Sequence, residues 1–353
     1  MASLVQAIRL ALHVGEERFG VTDVFGQDVG PPLGGIFTQT QGLRTAWNTP
    51  LDERGIVGTA IGLAMAGQRP VAEIQFCDYA FNSIDLLKLA GGMCWSCAGD
   101  WNCRLVWMMP GGRGVRGSIY HSHSFDAQAT RVPGWKIVMP SNPLDAYGLM
   151  LASILDPNPV MYLAPKALLR VKGTAAQRLP GEPEDPQVLS KMIDAPLGDR
   201  STWAPRWPEL EDLVIPIGRA SIARQGTDVT VVTYGRMMHV ALQAAEAAAQ
   251  EGVETEVIDM RTLAPYDWQT IKESIQKTQR VLFLNEDTEV TNFGEHLLRR
   301  TVEELFYELA APPKLLAGAH VPGIGLADAL ERASVPQLEQ VVVSLRELAA
   351  HAP

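Results

Sequence analysis

Two stretches of this chain alternate short apolar runs with segments of helical period, and that alternation constrains the fold more than any other feature of the sequence. In the first half, Val21 to Gly30 (VTDVFGQDVG) reads as a strand running into a turn. Residues 31–35 (PPLGG) form a loop, 55–67 (GIVGTAIGLAMAG) a helix, and Val71 to Phe76 (VAEIQF) the next strand. Arg104 to Met109 reads as a buried strand ending in a glycine-rich loop at 110–117, and Lys136 to Met139 as another strand. The helix that follows is well marked. Ser141 or Asn142 can cap it, Pro143 suits its first turn, Asp145 complements its dipole, and the run Asp156-Pro157-Asn158-Pro159 stops it before the strand Val160 to Leu163. The alternation returns with the strand Asp228 to Tyr234, a helix over 237–250, the strand Glu254 to Met260, a helix from about Asp267 and the strand Arg280 to Leu284. This order predicts an α/β fold of parallel sheets with helices on both faces. Between the two stretches, residues 171–212 scatter proline, charge and tryptophan without a sustained period. They read as a connection between two domains, placing one domain over 1–175, an extended linker over 176–214 and a second domain over 215–353.

Composition fits that division. The chain has 353 residues, 46% of them hydrophobic, enough for two cores. A formal net charge of -10 argues against nucleic acid or an anionic membrane as partner. The sequence holds no run of about 18 apolar residues, the length at which a helix can span a bilayer. Leu4, Ile8, Ala11 and Leu12 recur at helical spacing ahead of Glu16, Glu17 and Arg18, so the N-terminus reads as an amphipathic first helix rather than a signal peptide. The four cysteines, Cys77, Cys94, Cys97 and Cys103, are too few for a disulfide scaffold and suit a reducing, cytoplasmic compartment. Cys94 and Cys97 have the spacing of a redox or zinc pair, but no second ligand pair accompanies them, and buried thiols are the plainer expectation.

Most catalytic signatures are absent: no GxGxxG opens a helix, and there is no P-loop, HExxH or GxSxG. Two groups remain. Glu53 stands at the start of a helix rich in small residues, where Gly58, Gly62 and Ala66 share one face and suggest close approach of another backbone or a ligand. By itself a first-turn glutamate is a dipole partner. His121 and His123 follow the glycine-rich loop, and by themselves are surface histidines.

Taken together, the runs NTPLDERGIVG, GLAMAG and PVAEIQFCDYAF, then GVRGSIYHSHS and PSNPLDAYGLMLASILDPNPVMYLAPKALLR, then VTVVTYGR and VIDMRTLAPYD, resemble the beta subunits of thiamine-diphosphate-dependent 2-oxo acid dehydrogenases. The branched-chain (2-oxoisovalerate) type is nearest. The resemblance implies a transketolase-like architecture, with an N-terminal pyrimidine-binding domain and a C-terminal transketolase domain. It implies an alpha2-beta2 heterotetramer with an alpha subunit, a lipoyl-bearing dihydrolipoamide acyltransferase as acceptor, and a bacterial cytoplasmic setting. Thiamine diphosphate would be the cofactor. Its magnesium would be held mainly by the alpha subunit, because the GDG motif with its distant asparagine is missing here and Gly99-Asp100-Trp101 is no substitute. By position, Glu53 would hydrogen-bond the aminopyrimidine ring nitrogen from a low-dielectric pocket. Leu51, Gln75 and Tyr79 would line that pocket, and His121 would serve the substrate carboxylate and the lipoyl acceptor. Leu105, Val106, Ser153, Asp156 and Asn158 match a structural potassium site; a capped helix end followed by a turn needs no ion.

The chain departs from the resemblance in several places. Gln27 replaces an acidic residue, residues 89–100 (LAGGMCWSCAGD) lack the usual basic side chains, and the EPK motif reads Ala164-Pro165-Lys166. None of these touches Glu53 or His121, so the substrate is less constrained than the cofactor chemistry. Pyruvate or acetoin stays open as substrate, as does a non-catalytic assembly subunit.

Overall fold

The computed structural model describes residues 1–114, 117–194 and 213–352. Two compact units emerge. The first comprises residues 1–111 and 131–217, the second 112–130 and 218–353. The segment 112–130 therefore leaves the first half of the chain to pack with the second, which the linear alternation gives no hint of.

In the first unit six parallel strands, β1 (Asp23–Gly26), β2 (Ala46–Asn48), β3 (Pro70–Glu73), β4 (Val106–Gly111), β5 (Lys136–Val138) and β6 (Val160–Pro165), run in the order β5-β6-β4-β3-β1-β2. β1, β3 and β5 end before the runs that mark them, whereas β4 and β6 each run two residues past theirs, to Gly111 and Pro165. Around them lie α1 (Leu4–Arg18), α2 (Glu53–Met65), α3 (Ile84–Ser96), α5 (Pro143–Leu155) and α6 (Pro186–Ile193), while the five-residue α4 (Asp126–Thr130) belongs to the second unit. Asn142 is the cap of α5: its side chain accepts from the Asp145 amide at 3.0 Å and donates to the Asp145 carboxylate at 2.7 Å.

The expected first helix is present and is buried more completely than an amphipathic pattern requires. Every residue from Leu4 to Gly15 except Gln6 is buried, largely against α5. Its polar residues are accommodated one by one. Arg9 donates to the Thr38 carbonyl at 2.8 Å and the Ile193 carbonyl at 3.1 Å. His13 meets the Gln41 carbonyl at 3.1 Å. Burial pushes the His13 imidazole down to about 4, so it packs neutral.

Part of the expected linker also joins this core: α6 inserts Leu189 and Ile193 among the buried residues of α1 and α5. The remainder of that expectation, 195–212, lies outside the described residues, as do 115 and 116.

The second unit holds β7 (Ser221–Arg224), β8 (Val229–Thr233), β9 (Thr255–Asp259), the short β10 (Thr262–Ala264), β11 (Val281–Thr288) and β12 (Lys314–Gly318), with α7 (Met237–Ala249), α8 (Trp268–Thr278), α9 (Phe293–Leu305), α10 (Asp328–Ala333) and α11 (Leu338–Ala350). Its sheet runs β12-β11-β8-β9-β7, parallel except for β7, which pairs antiparallel with β9 at the edge. Such an edge strand is common on otherwise parallel sheets. The core joins α7 and α11 to β8, β9 and β11 through Val231, Val257, Leu282, Ala241 and Val341.

Candidate active site

Open parallel sheets bind ligands beyond the carboxyl ends of their strands. In the first unit, the loops after the adjacent strands β3, β1 and β2 carry the expected cofactor residues. β2 ends at Asn48, whose side chain accepts from the Gly30 amide at 2.7 Å and donates to the Pro31 carbonyl at 3.0 Å. These bonds fasten the loop after β2 to the loop after β1. The chain then reaches Leu51 and, after the N-cap Asp52, Glu53 in the first turn of α2. Beyond β3, the Gln75 amide donates to Asp28 at 2.9 Å, bridging to the turn after β1. The Tyr79 ring stands edge-on to Phe76, 6.1 Å between centroids.

The expected residues Leu51, Glu53, Gln75 and Tyr79 therefore share one edge of the sheet. They do not form a closed pocket. Leu51 is 70% exposed, and Glu53, Gln75 and Tyr79 are half-buried. The low-dielectric enclosure expected around Glu53 is not made by this chain's own residues. An exposed leucine and a half-buried aromatic ring beside a carboxylate and an anchored amide nonetheless suit one end of a flat, hydrogen-bonding heteroaromatic ring. Gly99, Asp100 and Trp101 lie in the connection from α3 to β4, ahead of that strand's amino end.

Just inside the same edge is a carboxyl the motifs do not reveal. Glu73, the last residue of β3, is fully buried. Burial pushes its pKa up to about 8, aided by Asp28 and opposed by the Gln39 amide, which donates to Glu73 Oε2 at 2.6 Å, and by the Ile36 N–H. The sequence does carry a signal for it: a lone acid closing an otherwise apolar strand.

His121 sits in the second unit, at the end of a 3-10 turn (Ser118–Tyr120) rather than on a strand. Its Nδ1 lies 3.0 Å from the Gly117 carbonyl. A carbonyl only accepts, so Nδ1 carries the proton and Nε2 is the basic nitrogen.

The positions matched to potassium do converge, at the start of β4 and the end of α5. Their polar atoms are already satisfied. The Lys136 ammonium pairs with Asp156 Oδ2, the Asn158 amide donates to Asp156 Oδ1 at 2.9 Å, Ser153 Oγ donates to the Leu149 carbonyl at 2.7 Å, and the Leu105 carbonyl accepts from the Val160 amide at 3.0 Å. Asp156 already has a cation in Lys136.

Cys94 and Cys97 are half-buried at the end of α3, not in the core, and no group of three or more metal-ligating His, Cys, Asp or Glu side chains occurs among the described residues. No helix among them is long and apolar enough to cross a membrane.

Comparison with known proteins agrees with this fold. Residues 3–172 match the transketolase pyrimidine binding domain and residues 218–341 the transketolase C-terminal domain. The 2-oxoisovalerate dehydrogenase subunit beta of Bacillus subtilis (strain 168) is 36% identical over 98% of both chains. The chain belongs to the 2-oxo acid dehydrogenase beta subunits. Within that thiamine-diphosphate-dependent family, the Pseudomonas aeruginosa 2-oxoisovalerate dehydrogenase subunit beta is 37% identical over 91% of this chain and 88% of its own. A pyruvate dehydrogenase E1 component subunit beta from Acholeplasma laidlawii is also near, at 33% over 99% of both. A split-gene transketolase, solved as an inactive beta4 tetramer, superposes with TM-score 0.72 over both full chains at 18% identity, a likeness of fold alone.

Proposed function

We propose that this beta subunit acts on a branched-chain 2-oxo acid and holds only the pyrimidine end of thiamine diphosphate. The observation that carries the reading is the open cluster of Leu51, Glu53, Gln75 and Tyr79 along one sheet edge, with no diphosphate motif in the same chain. When bound, thiamine diphosphate supplies the electron sink for decarboxylation. Glu53 would hold a proton at the pyrimidine ring nitrogen. Leu51 and Tyr79 would pack against the ring, and Gln75, steadied by Asp28, would fix its orientation. His121, with Nδ1 committed to Gly117, would offer Nε2 to the substrate carboxylate or the incoming acceptor.

The other half of the site would come from an alpha subunit in an alpha2-beta2 heterotetramer. That subunit would hold the diphosphate and magnesium, and lipoyl-lysine of a dihydrolipoamide acyltransferase would take the acyl group. A cytoplasmic, bacterial setting suits four free cysteines. A second reading, pyruvate as substrate, is supported by the Acholeplasma laidlawii relative, which aligns over nearly its full length.

The test is Glu53→Gln assembled with the alpha partner. The tetramer should form, while decarboxylation falls by at least 10²-fold, as for loss of a positioned acid–base group. Unchanged turnover would remove Glu53 from the chemistry.

A further inference from the structure

Cys94 and Cys97 take no part in the reaction proposed above, and their surroundings in the first unit suit a different chemistry. Cys94 lies in the last turn of α3 and Cys97 is the residue that ends it. Both are half-buried, and Trp95 between them is 91% exposed, so small reagents reach this turn. The other two thiols are set apart. Cys77 and Cys103 are buried, and burial pushes the Cys103 thiol up to about 11.

Residues three apart on a helix have Cα atoms about 5 Å apart, inside the ~4.4–6.8 Å range of a disulfide. Their Cβ atoms are ~5–6 Å apart where a disulfide needs ~3.5–4.5 Å, so closure requires a shift of about 1–2 Å. The chain can make that shift at Cys97. This residue has already left the helix, with φ −106° and ψ 18°, and Ala98 and Gly99 follow with φ of +54° and +91°. Its sulfur leans back over the helix, donating to the Met93 carbonyl at 3.0 Å and lying 3.7 Å from the Cys94 carbonyl oxygen. Loss of the thiol proton orphans no acceptor, because the Met93 carbonyl also accepts from the Cys97 amide at 3.2 Å and from Ser96 Oγ at 3.0 Å. The same sulfur accepts from the Trp101 amide at 3.1 Å. Trp101, with Met65, Gln68, Met93 and Arg104, lines a cavity of about 330 Å³, so Cys97 anchors part of that cavity's wall.

We propose that Cys94 and Cys97 form a redox-active dithiol that closes to a disulfide by exchange with a low-molecular-weight disulfide and, in closing, moves Trp101 in the cavity wall. One thiolate of the pair attacks the reagent and displaces a thiolate, leaving a mixed disulfide. The second attacks the protein sulfur of that bond and displaces the other. The pair loses two electrons and two protons, and the reagent disulfide becomes two thiols. Strain at closure keeps the bond reducible, which is the behaviour of a redox-sensing disulfide in a reducing compartment rather than a structural one.

The full chain, equilibrated in glutathione buffers of rising oxidised fraction, quenched with acid, alkylated in denaturant and mapped by mass spectrometry, tests this. The peptide holding Cys94 and Cys97 should pass from doubly alkylated to unalkylated and lighter by two hydrogens, while Cys77 and Cys103 stay alkylated. At a fixed ratio of glutathione disulfide to thiol, tenfold dilution of the buffer should raise the ratio of closed to open pair tenfold, because closure consumes one disulfide and releases two thiols. A mixed disulfide does not respond to that dilution. Cys94→Ser and Cys97→Ser should each remove the dilution response, stopping at the glutathione adduct or staying reduced. Hydrogen exchange over 97–104 should differ between the open and closed forms of the wild type. A pair that stays reduced throughout, or that ends as glutathione adducts insensitive to dilution, overturns the dithiol. Closure with unchanged exchange over 97–104 overturns the movement of the wall.

Discussion

Glu73 places a titrating group where the fold cannot hydrate it. Its folded pKa of about 8 stands above its ordinary value of 4.5 because burial disfavours the charge. The sign follows: the folded chain holds a proton that the unfolded chain releases, so the penalty is absent below the ordinary value, grows as pH rises towards 8, and is then constant. Over that window it amounts to on the order of 3–5 kcal/mol. Glu73→Gln keeps the shape and the bond from Gln39 without the titration. Urea denaturation should show it gaining stability over wild type as pH is raised from 5 to 8, within the window the two pKa values define. A constant difference across that range would mean Glu73 is ionised in the fold. None of this was legible from motif matching, which found Glu53 and Gln75 because their neighbours are distinctive and passed over Glu73 because burial is a property of the sheet. His121 is the converse case. Its identity was plain in GVRGSIYHSHS, while its attachment to the second unit depends on contacts more than 100 positions away, such as that of Asp126 with Tyr234 (|i−j| = 108).

Elements were read most accurately where end signals are local. α5 starts at Pro143 and stops at Asp156 because cap, proline and turn chemistry all lie within the helix's own neighbourhood. Asn142→Ala removes the cap and the amide's bond to the buried Asp145 carboxylate, so it should cost about 1–2 kcal/mol in chemical denaturation. A change below a few tenths of a kcal/mol would show that the cap bonds are replaced by solvent. α3 went unread because residues 89–100 combine three glycines with two cysteines and no strong period, and its helix forms on packing, with Leu87, Ala90 and Met93 turned inward. α1 was read as a helix, while the extent of its burial was not legible. Periodicity reports which face is apolar, and cannot report that Arg9 and His13 find buried carbonyl partners on the other.

At the scale of the molecule, the chain reads as one half of something larger. The small-residue face of α2 illustrates this. A Cβ built at Gly58 would meet only a Leu86 methyl at 3.8 Å and one at Gly62 nothing within 4 Å, so no backbone among the described residues makes the close approach the glycines invite. Gly62→Leu should therefore leave the isolated chain folded, and more stable by up to about 1 kcal/mol from helix propensity. If the face packs against another subunit, the same change should block assembly in sedimentation; an intact complex would mean the face stays in solvent. Two-domain α/β architecture was legible from alternation alone, whereas the crossing of 112–130 into the second unit was not, since a contiguous reading has no means of exchanging segments between domains. The central claim is that the cofactor site is shared. Isothermal calorimetry of thiamine diphosphate with magnesium, on this chain alone and then with its alpha subunit, tests it most directly. The account predicts tight binding only in the mixture. Equally tight binding to the isolated chain would contradict it, because the diphosphate would then have a site among residues that show none of its motif.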